Sequence, residues 1–288
     1  MNNMNIMDIP RRRMHKLKIS QIISYILLTV LSILFLVPFL GMVSTSLKPE
    51  KEVLLLPIKI FGTHIAWENY ERAWTFFPFG RFLFSSIWVA ALTSLLVGIT
   101  SSMAGYAFSR IRFKGRDMLF TLYLGTLMIP QQVTVIPLYL IMKRFGWYDT
   151  YTALVLPMAF TAFGTFLMRQ FLMTIPFELE DAGRIDGCGP AGLFIRIILP
   201  MAKSGIATLF VFTFIGSWKS FLWPLIITST DRVKTLPLGI YMFNGQYGTD
   251  WSGLMAAASI AIIPSFLIYI FFQRYLVEGI TMTGMGGR

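Results

Sequence analysis

Apolar residues run through this chain in long blocks rather than in stripes. Six stretches reach the roughly 20 residues that carry a helix across a hydrocarbon layer: about Ile19–Met42, Phe82–Ser109, Met118–Met142, Tyr151–Met173, Gly205–Thr228 and Leu254–Leu276. None has the polar face that a helix on a water-soluble core presents. The first stretch follows Arg11, Arg12, Arg13, Lys16 and Lys18. It is too long for a signal-peptide core and has no small-residue cleavage site behind it, so it reads as an uncleaved helix. The pattern divides the chain into a basic tail over 1–18, a membrane domain over 19–276 with a polar connection at 174–203, and a tail over 277–288. The expected fold class is an all-α membrane protein of six transmembrane helices.

Composition supports the pattern. Charged residues make up 14% of the 288, where a soluble domain carries about a quarter. The net charge of +11 raises nucleic acid as a partner, but the placement of the charges argues against it. Fifteen Lys and Arg fall on the side holding both tails and the connections after segments two and four, against nine on longer connections opposite. That bias is a topology signal and puts both termini in the cytoplasm. A single cysteine, Cys188, excludes an intrachain disulfide, and with only His15 and His64 beside it no metal site or Cys/His nucleophile pair is expected. The outer connections, 43–80 and 229–253, carry Trp67, Tyr70, Trp74, Tyr241, Tyr247 and Trp251, which fit an interfacial aromatic belt or a docking surface for a soluble partner.

The connection between segments four and five has structure of its own. Pro176 suits a first helical position, Glu178 and Glu180 follow at the positive end and Arg184 at the negative end. Glu180 and Arg184 stand four apart in the favourable order, and Gly187 suits the left-handed residue that closes a helix. Pro190 can open a second helix with Leu193, Phe194 and Ile197 on one side, and Pro200 lies near the entry to segment five. Two short helices at the membrane surface are expected. One face of the first carries Leu179, Ala182, Gly183 and Asp186; such a small-residue face suits insertion into a cleft on another protein, or packing on the chain's own bundle.

Here the sequence resembles the permeases of binding-protein-dependent ABC importers. Their motif is Glu-Ala-Ala, three residues, Gly, nine residues, then Ile-x-Leu-Pro. This chain has Asp181-Ala182-Gly183, three residues, Gly187, nine residues, then Ile197-x-Leu199-Pro200, with Asp for Glu and Gly for the second Ala. The stretches Met128–Leu138, Arg184–Gly187 and Gly216–Pro224 look like the carbohydrate-uptake, maltose-type branch, and the tail Gly279–Arg288 looks like its second permease subunit. The resemblance implies a type I importer fold and a heterodimer with a second permease. It also implies two ATPase subunits that hold ATP and Mg²⁺, and an extracytoplasmic solute-binding protein. It assigns ATPase coupling to Glu180, Asp181, Ala182, Gly183, Arg184, Asp186, Gly187, Ile197, Leu199 and Pro200.

No phosphate-binding Gly-x-x-x-x-Gly-Lys-Ser/Thr loop occurs, so no cofactor is expected in this chain and its expected role is mechanical. Pro38, Pro130, Pro137, Pro157, Pro224 and Pro264 fall within the apolar segments, and breaks at that depth are tolerated where protein or a water-filled cavity satisfies the backbone. Gln131, Gln132 and Thr134, bracketed by two of these prolines, are candidates for the solute path or for interhelical hydrogen bonds. Lys219 is the only clear charge in the interior of a segment, Arg169 and Arg274 lying near segment ends. It faces the path, which would suit an acidic saccharide, or snorkels to the interface; Trp218 beside it stacks on sugar or packs. Rival readings are an importer for a non-sugar solute, a membrane-embedded enzyme, and a proton-coupled secondary transporter, which usually shows internal repeats and a membrane carboxylate.

Overall fold

The computed structural model describes residues 19–57, 59–245 and 248–285, with Ser20 and 276–285 as backbone only. The basic tail 1–18, Tyr247 and residues 286–288 lie outside the described residues. The chain is mostly helical. In order come α1 (Ile19–Ser46), the short α2 (Glu50–Val53) and α3 (Glu68–Thr75), α4 (Phe79–Arg110), α5 (Arg116–Gly125), α6 (Gln131–Arg144), α7 (Tyr151–Val155) and α8 (Ala162–Met173). They are followed by α9 (Glu178–Ile185), α10 (Pro190–Gly192), α11 (Leu199–Met201), α12 (Lys203–Trp218), α13 (Leu222–Ile227), α14 (Leu236–Tyr241) and α15 (Trp251–Met285). A two-residue hairpin, Asn244–Gly245 with Gly248–Thr249, precedes α15.

Three of these helices, α1, α4 and α15, are long and apolar enough to cross a membrane unbroken. Three further candidates are bent pairs: Arg116–Met128 with Gln131–Arg144 at 99°, Tyr151–Met158 with Ala162–Met173 at 46°, and Pro190–Met201 with Lys203–Trp218 at 74°. The third, fourth and fifth segments expected from hydropathy are thus bent or broken helices, and each break has a local cause. Ile129 takes extended angles, φ −83° and ψ 115°, as a residue ahead of proline does. Thr161 is likewise extended and caps α8, its Oγ1 accepting from Gly164 N at 3.1 Å. Segment five stops at Trp218 and resumes at Leu222; Pro224 has no N–H to offer Ser220 O, and its ring crowds that carbonyl. At the other end, α15 continues to Met285 through most of the stretch expected as a tail.

α4 is the central post, packed against α8 and α12. The sequence makes that possible with small side chains: Ser85, Ser86, Ala90, Ser94, Gly98, Ser101, Ser102 and Gly105 are all buried on it. Such residues let helix backbones approach where lipid removes the hydrophobic drive between helices. At Gly105 the fit is closest: a Cβ there would stand 2.8 Å from Met168 Cβ and 2.9 Å from the backbone N of Arg169. Phe79, Phe82, Phe214, Trp218 and Phe243 form one core cluster, and Val97, Met168, Leu172, Ile198 and Leu209 a second. α1 packs against α15, and its apolar side chains from Ile22 to Leu40 are exposed around the helix, a surface suited to lipid.

Candidate functional site

The polar connection folds into an arm. α9 opens after Phe177, whose carbonyl accepts from Glu180 N at 2.9 Å and Asp181 N at 3.1 Å, so Pro176 stands just ahead of the helix rather than in it. Gly187 adopts φ +82°. Cys188 N donates to Gly183 O at 2.9 Å and Gly187 N to Arg184 O at 3.0 Å, the paired bonds of a Schellman closure. The run from Pro190 to Met201 follows, with a wide π-helical turn over Leu193–Ile198, and bends at Ala202 into α12.

The two faces of α9 differ from the face drawn from sequence spacing. Gly183 is buried against the arm's own second half: a Cβ there would lie 2.3 Å from Ile197 Cδ1 and 2.7 Å from Leu193 Cδ2. The small residue thus closes the arm on itself, and Ile197 is its packing partner. Leu199 is half-buried and Pro200 exposed at the turn toward α12. Phe177, Leu179, Ala182, Ile185 and Asp186 remain exposed, Ile185 at 87%. Asp181 and Arg184 pair on this exposed side at 3.3 Å.

Glu180 turns inward. Its side chain is 2% exposed and meets Arg110 Nε at 3.2 Å, the Arg110 side chain being 1% exposed. Arg110 Nη2 also donates to Ile175 O at 2.5 Å and to Leu172 O, and the guanidinium lies 4.1 Å over the Phe177 ring. One side chain at the last residue of α4 therefore satisfies carbonyls at the end of α8, which a helix terminus leaves open, and anchors α9. Arg184, the sequence partner four residues on, is 3.9 Å from Glu180 and 61% exposed. Sequence spacing missed Arg110, which counted only as a topology charge; its partner lies 70 residues away along the chain. A neighbouring clasp joins α4, α5 and α8: Arg169 donates to Phe108 O at 3.1 Å, reaches Asp117 at 3.3 Å and covers the Phe120 ring.

At the other end of the bundle a cavity of about 290 Å³ opens beside two helix breaks. Gln131, the first residue of α6, lines it with Ser86 and Thr93 of α4, Thr213 and Ser217 of α12, and Thr235. Trp223 forms part of its wall, the indole N–H donating to Ala153 O at 3.0 Å. The other path candidates are elsewhere. Gln132 and Thr134 are exposed on α6, Thr134 Oγ1 bonding Gln131 O at 2.9 Å. Trp218 is buried, stacks on Phe214 and donates to Ala261 O at 3.1 Å. Lys219 is exposed and caps the end of α12, where a cation suits the helix dipole. Thr93, Ser86 and Thr213 escaped sequence reading because serine and threonine in apolar helices ordinarily bond their own backbone, and Thr235 because it lies in a connection ahead of α14.

Comparison with known proteins decides the family. Residues 14–282 match the family described as "binding-protein-dependent transport system inner membrane component". The chain belongs to that family. The arabinooligosaccharides transport system permease protein AraQ of Bacillus subtilis is 33% identical over 265 residues, covering 90% of this chain and 93% of that one. The sn-glycerol-3-phosphate transport system permease protein UgpE of Pectobacterium atrosepticum is 36% identical over 270 residues, covering 90% and 95%. Among solved structures, a bacterial ABC transporter involved in import of the acidic polysaccharide alginate has a similar chain, with a TM-score of 0.78 at 21% identity, covering 89% and 96%. The permease is thus an inner-membrane component of an ATP-driven importer, and the secondary-transporter reading falls.

Proposed function

We propose that this permease forms half of the translocation pathway for a sugar or oligosaccharide. It pairs with a second permease above two ATPase subunits that hold ATP and Mg²⁺ and perform the hydrolysis, and it receives solute from an extracytoplasmic binding protein. In this reading the three bent pairs and three straight helices amount to six spans, both termini are cytoplasmic, and lipid covers α1.

The observation that carries the reading is the arm. Its exposed apolar residues, Phe177, Leu179 and Ile185, stand beside the exposed Asp181–Arg184 pair and suit a cleft on a partner. Its buried side is fastened by Arg110 to α4 and α8. A push on the exposed face would therefore be carried into the bundle's central post, the requirement for alternating access driven from outside the chain. The chain's likeness to a permease named for arabinooligosaccharides supports carbohydrate as the solute class. The test is ATPase activity of the complex purified from native membranes, with and without its binding protein loaded with candidate sugars. Stimulation by one loaded form supports the reading; Ile185→Asp on the arm should abolish it. A non-sugar solute as the sole stimulant would replace the carbohydrate assignment.

A further inference from the structure

The cavity beside the helix breaks carries an inference that deepens the proposed function and rests on it. None of its lining residues is Asp, Glu, Lys, Arg or His. Seven of them, among them Thr93, Gln131, Ser220 and Thr235, present hydroxyl or amide groups that both donate and accept. Ser86 Oγ is engaged by Leu236 N at 2.7 Å. Two others are not engaged: Thr93 Oγ1 and Thr235 Oγ1 are buried and have no hydrogen-bond partner among the described residues, in residues 3% and 4% exposed. A buried polar atom left unpaired is costly and calls for an explanation. A second observation is independent of the hydroxyls. The chain breaks its helices at Ile129–Pro130, directly before Gln131, and between α12 and α13 at 219–221, both at the cavity's edge. Irregular backbone within a spanning bundle is tolerated where it is buried in protein or lines a water-filled cavity, and broken helices mark solute sites in other transporters.

We propose that this cavity is a station for one ring of a neutral saccharide, whose hydroxyls supply the missing partners of Thr93 and Thr235. The volume of about 290 Å³ equals the share of about ten liquid waters, enough for one ring and not for an oligosaccharide. Trp223, held by its bond to Ala153, offers a fixed aromatic wall to the C–H side of the ring. A phosphate or uronate would surrender its hydration to hydroxyls alone, with no counter-charge at hand. Lys219, the one cation that sequence placed here, is exposed at the end of α12 and not part of the lining. The neutral chemistry of the cavity thus separates this permease from a relative named for a phosphorylated solute and a structural neighbour named for an acidic polysaccharide.

Saturation-transfer NMR on the intact purified complex tests this, using arabinotriose and maltotriose as neutral probes and alginate pentasaccharide and sn-glycerol-3-phosphate as anionic ones. The neutral probes should give signals and the anionic ones none. Thr93→Val and Thr235→Val should each weaken the neutral signal's half-saturation about three- to tenfold, the effect of one hydrogen bond. The ligand-free thermal midpoint should hold or rise, because each valine removes an unpaired buried hydroxyl. A midpoint that falls would mark the hydroxyls as structural and overturn the proposal. So would anionic binding, or neutral signals unchanged in both variants. The importer reading is judged apart from this, by stimulation of the ATPase by the loaded binding protein. A stimulated wild-type complex with no neutral signal sinks the cavity assignment alone.

Discussion

Arg110→Met is the perturbation on which the mechanical account stands most exposed. The replacement keeps the length of the stem but removes the guanidinium. It leaves the Glu180 carboxylate, 2% exposed, with only the exposed Arg184 at 3.9 Å, and leaves the carbonyls of Leu172 and Ile175 without their donor. Breaking a buried ion pair from one side costs about 3–5 kcal/mol, and at about 2–4 °C per kcal/mol the thermal midpoint should fall by about 10 °C. Glu180→Gln should cost less, because the amide still fits the site and Arg110 retains both carbonyls. The double change Arg110→Met with Glu180→Leu removes the uncompensated charge, so it should recover about 1–3 kcal/mol of the sum of the singles. The assays are thermal unfolding of the purified complex and the ratio of stimulated to basal ATPase rate. If the clasp transmits motion, the double variant regains stability without regaining stimulation. Additive single effects, or full stimulation in the stable double variant, would show that the Arg110–Glu180 pair does not carry the coupling.

Gly187→Val places a branched residue at φ +82°, where a non-glycine residue is penalised by about 1–2 kcal/mol; nothing crowds that position, so stimulated ATPase should drop through strain alone, and an unchanged rate would count against the arm's closure. Gly105→Leu forces α4 from α8, at about 1–3 kcal/mol for overpacking, and thermal unfolding should detect it. At two carboxyls, burial pushes the pKa up, but hydrogen bonds outweigh it and hold both below the ordinary value: Glu50 through Ser252 Oγ at 2.6 Å, Ser252 N at 2.7 Å and Trp251 N at 3.1 Å, and Asp149 through Thr230 Oγ1 at 2.7 Å, Ser229 N at 2.8 Å and Thr230 N at 3.1 Å. Groups lowered in the folded state stabilise above their unfolded pKa, about 4, and lose that contribution as pH falls through the folded value. The thermal midpoint should therefore decline below about pH 4, and Glu50→Gln with Asp149→Asn should flatten that decline; an identical acid profile in the variant would contradict it.

The apolar blocks made the membrane class readable from sequence, because hydropathy is summed over whole segments and forgives local detail. The closure at Gly187 was readable for the opposite reason: only a local backbone geometry was at stake. The bend at Ile129–Pro130 was signalled by proline, but Pro137 sits inside the continuous α6, so proline alone does not say which helix breaks. Helical spacing groups Gly183 with Ala182, whereas Gly183 faces Leu193 and Ile197; spacing assigns residues to a face without saying what covers it. Glu180 was paired with Arg184 on the four-residue rule, while the arginine that holds it closes a helix 70 positions earlier. Likewise the cavity gathers Thr93, Gln131, Thr213 and Thr235 from four separate stretches. Such constellations are products of packing and leave no periodic mark in the chain.

The most direct test of the central claim isolates the tagged permease from native membranes and measures ATP hydrolysis by whatever accompanies it, with and without loaded binding protein. A stoichiometric complex with a second permease and two ATPase subunits is expected, whose hydrolysis rises with one loaded binding protein and loses that rise in Arg110→Met. A permease isolated alone under conditions that keep related importers intact, or a complex whose hydrolysis ignores every loaded binding protein, would contradict it.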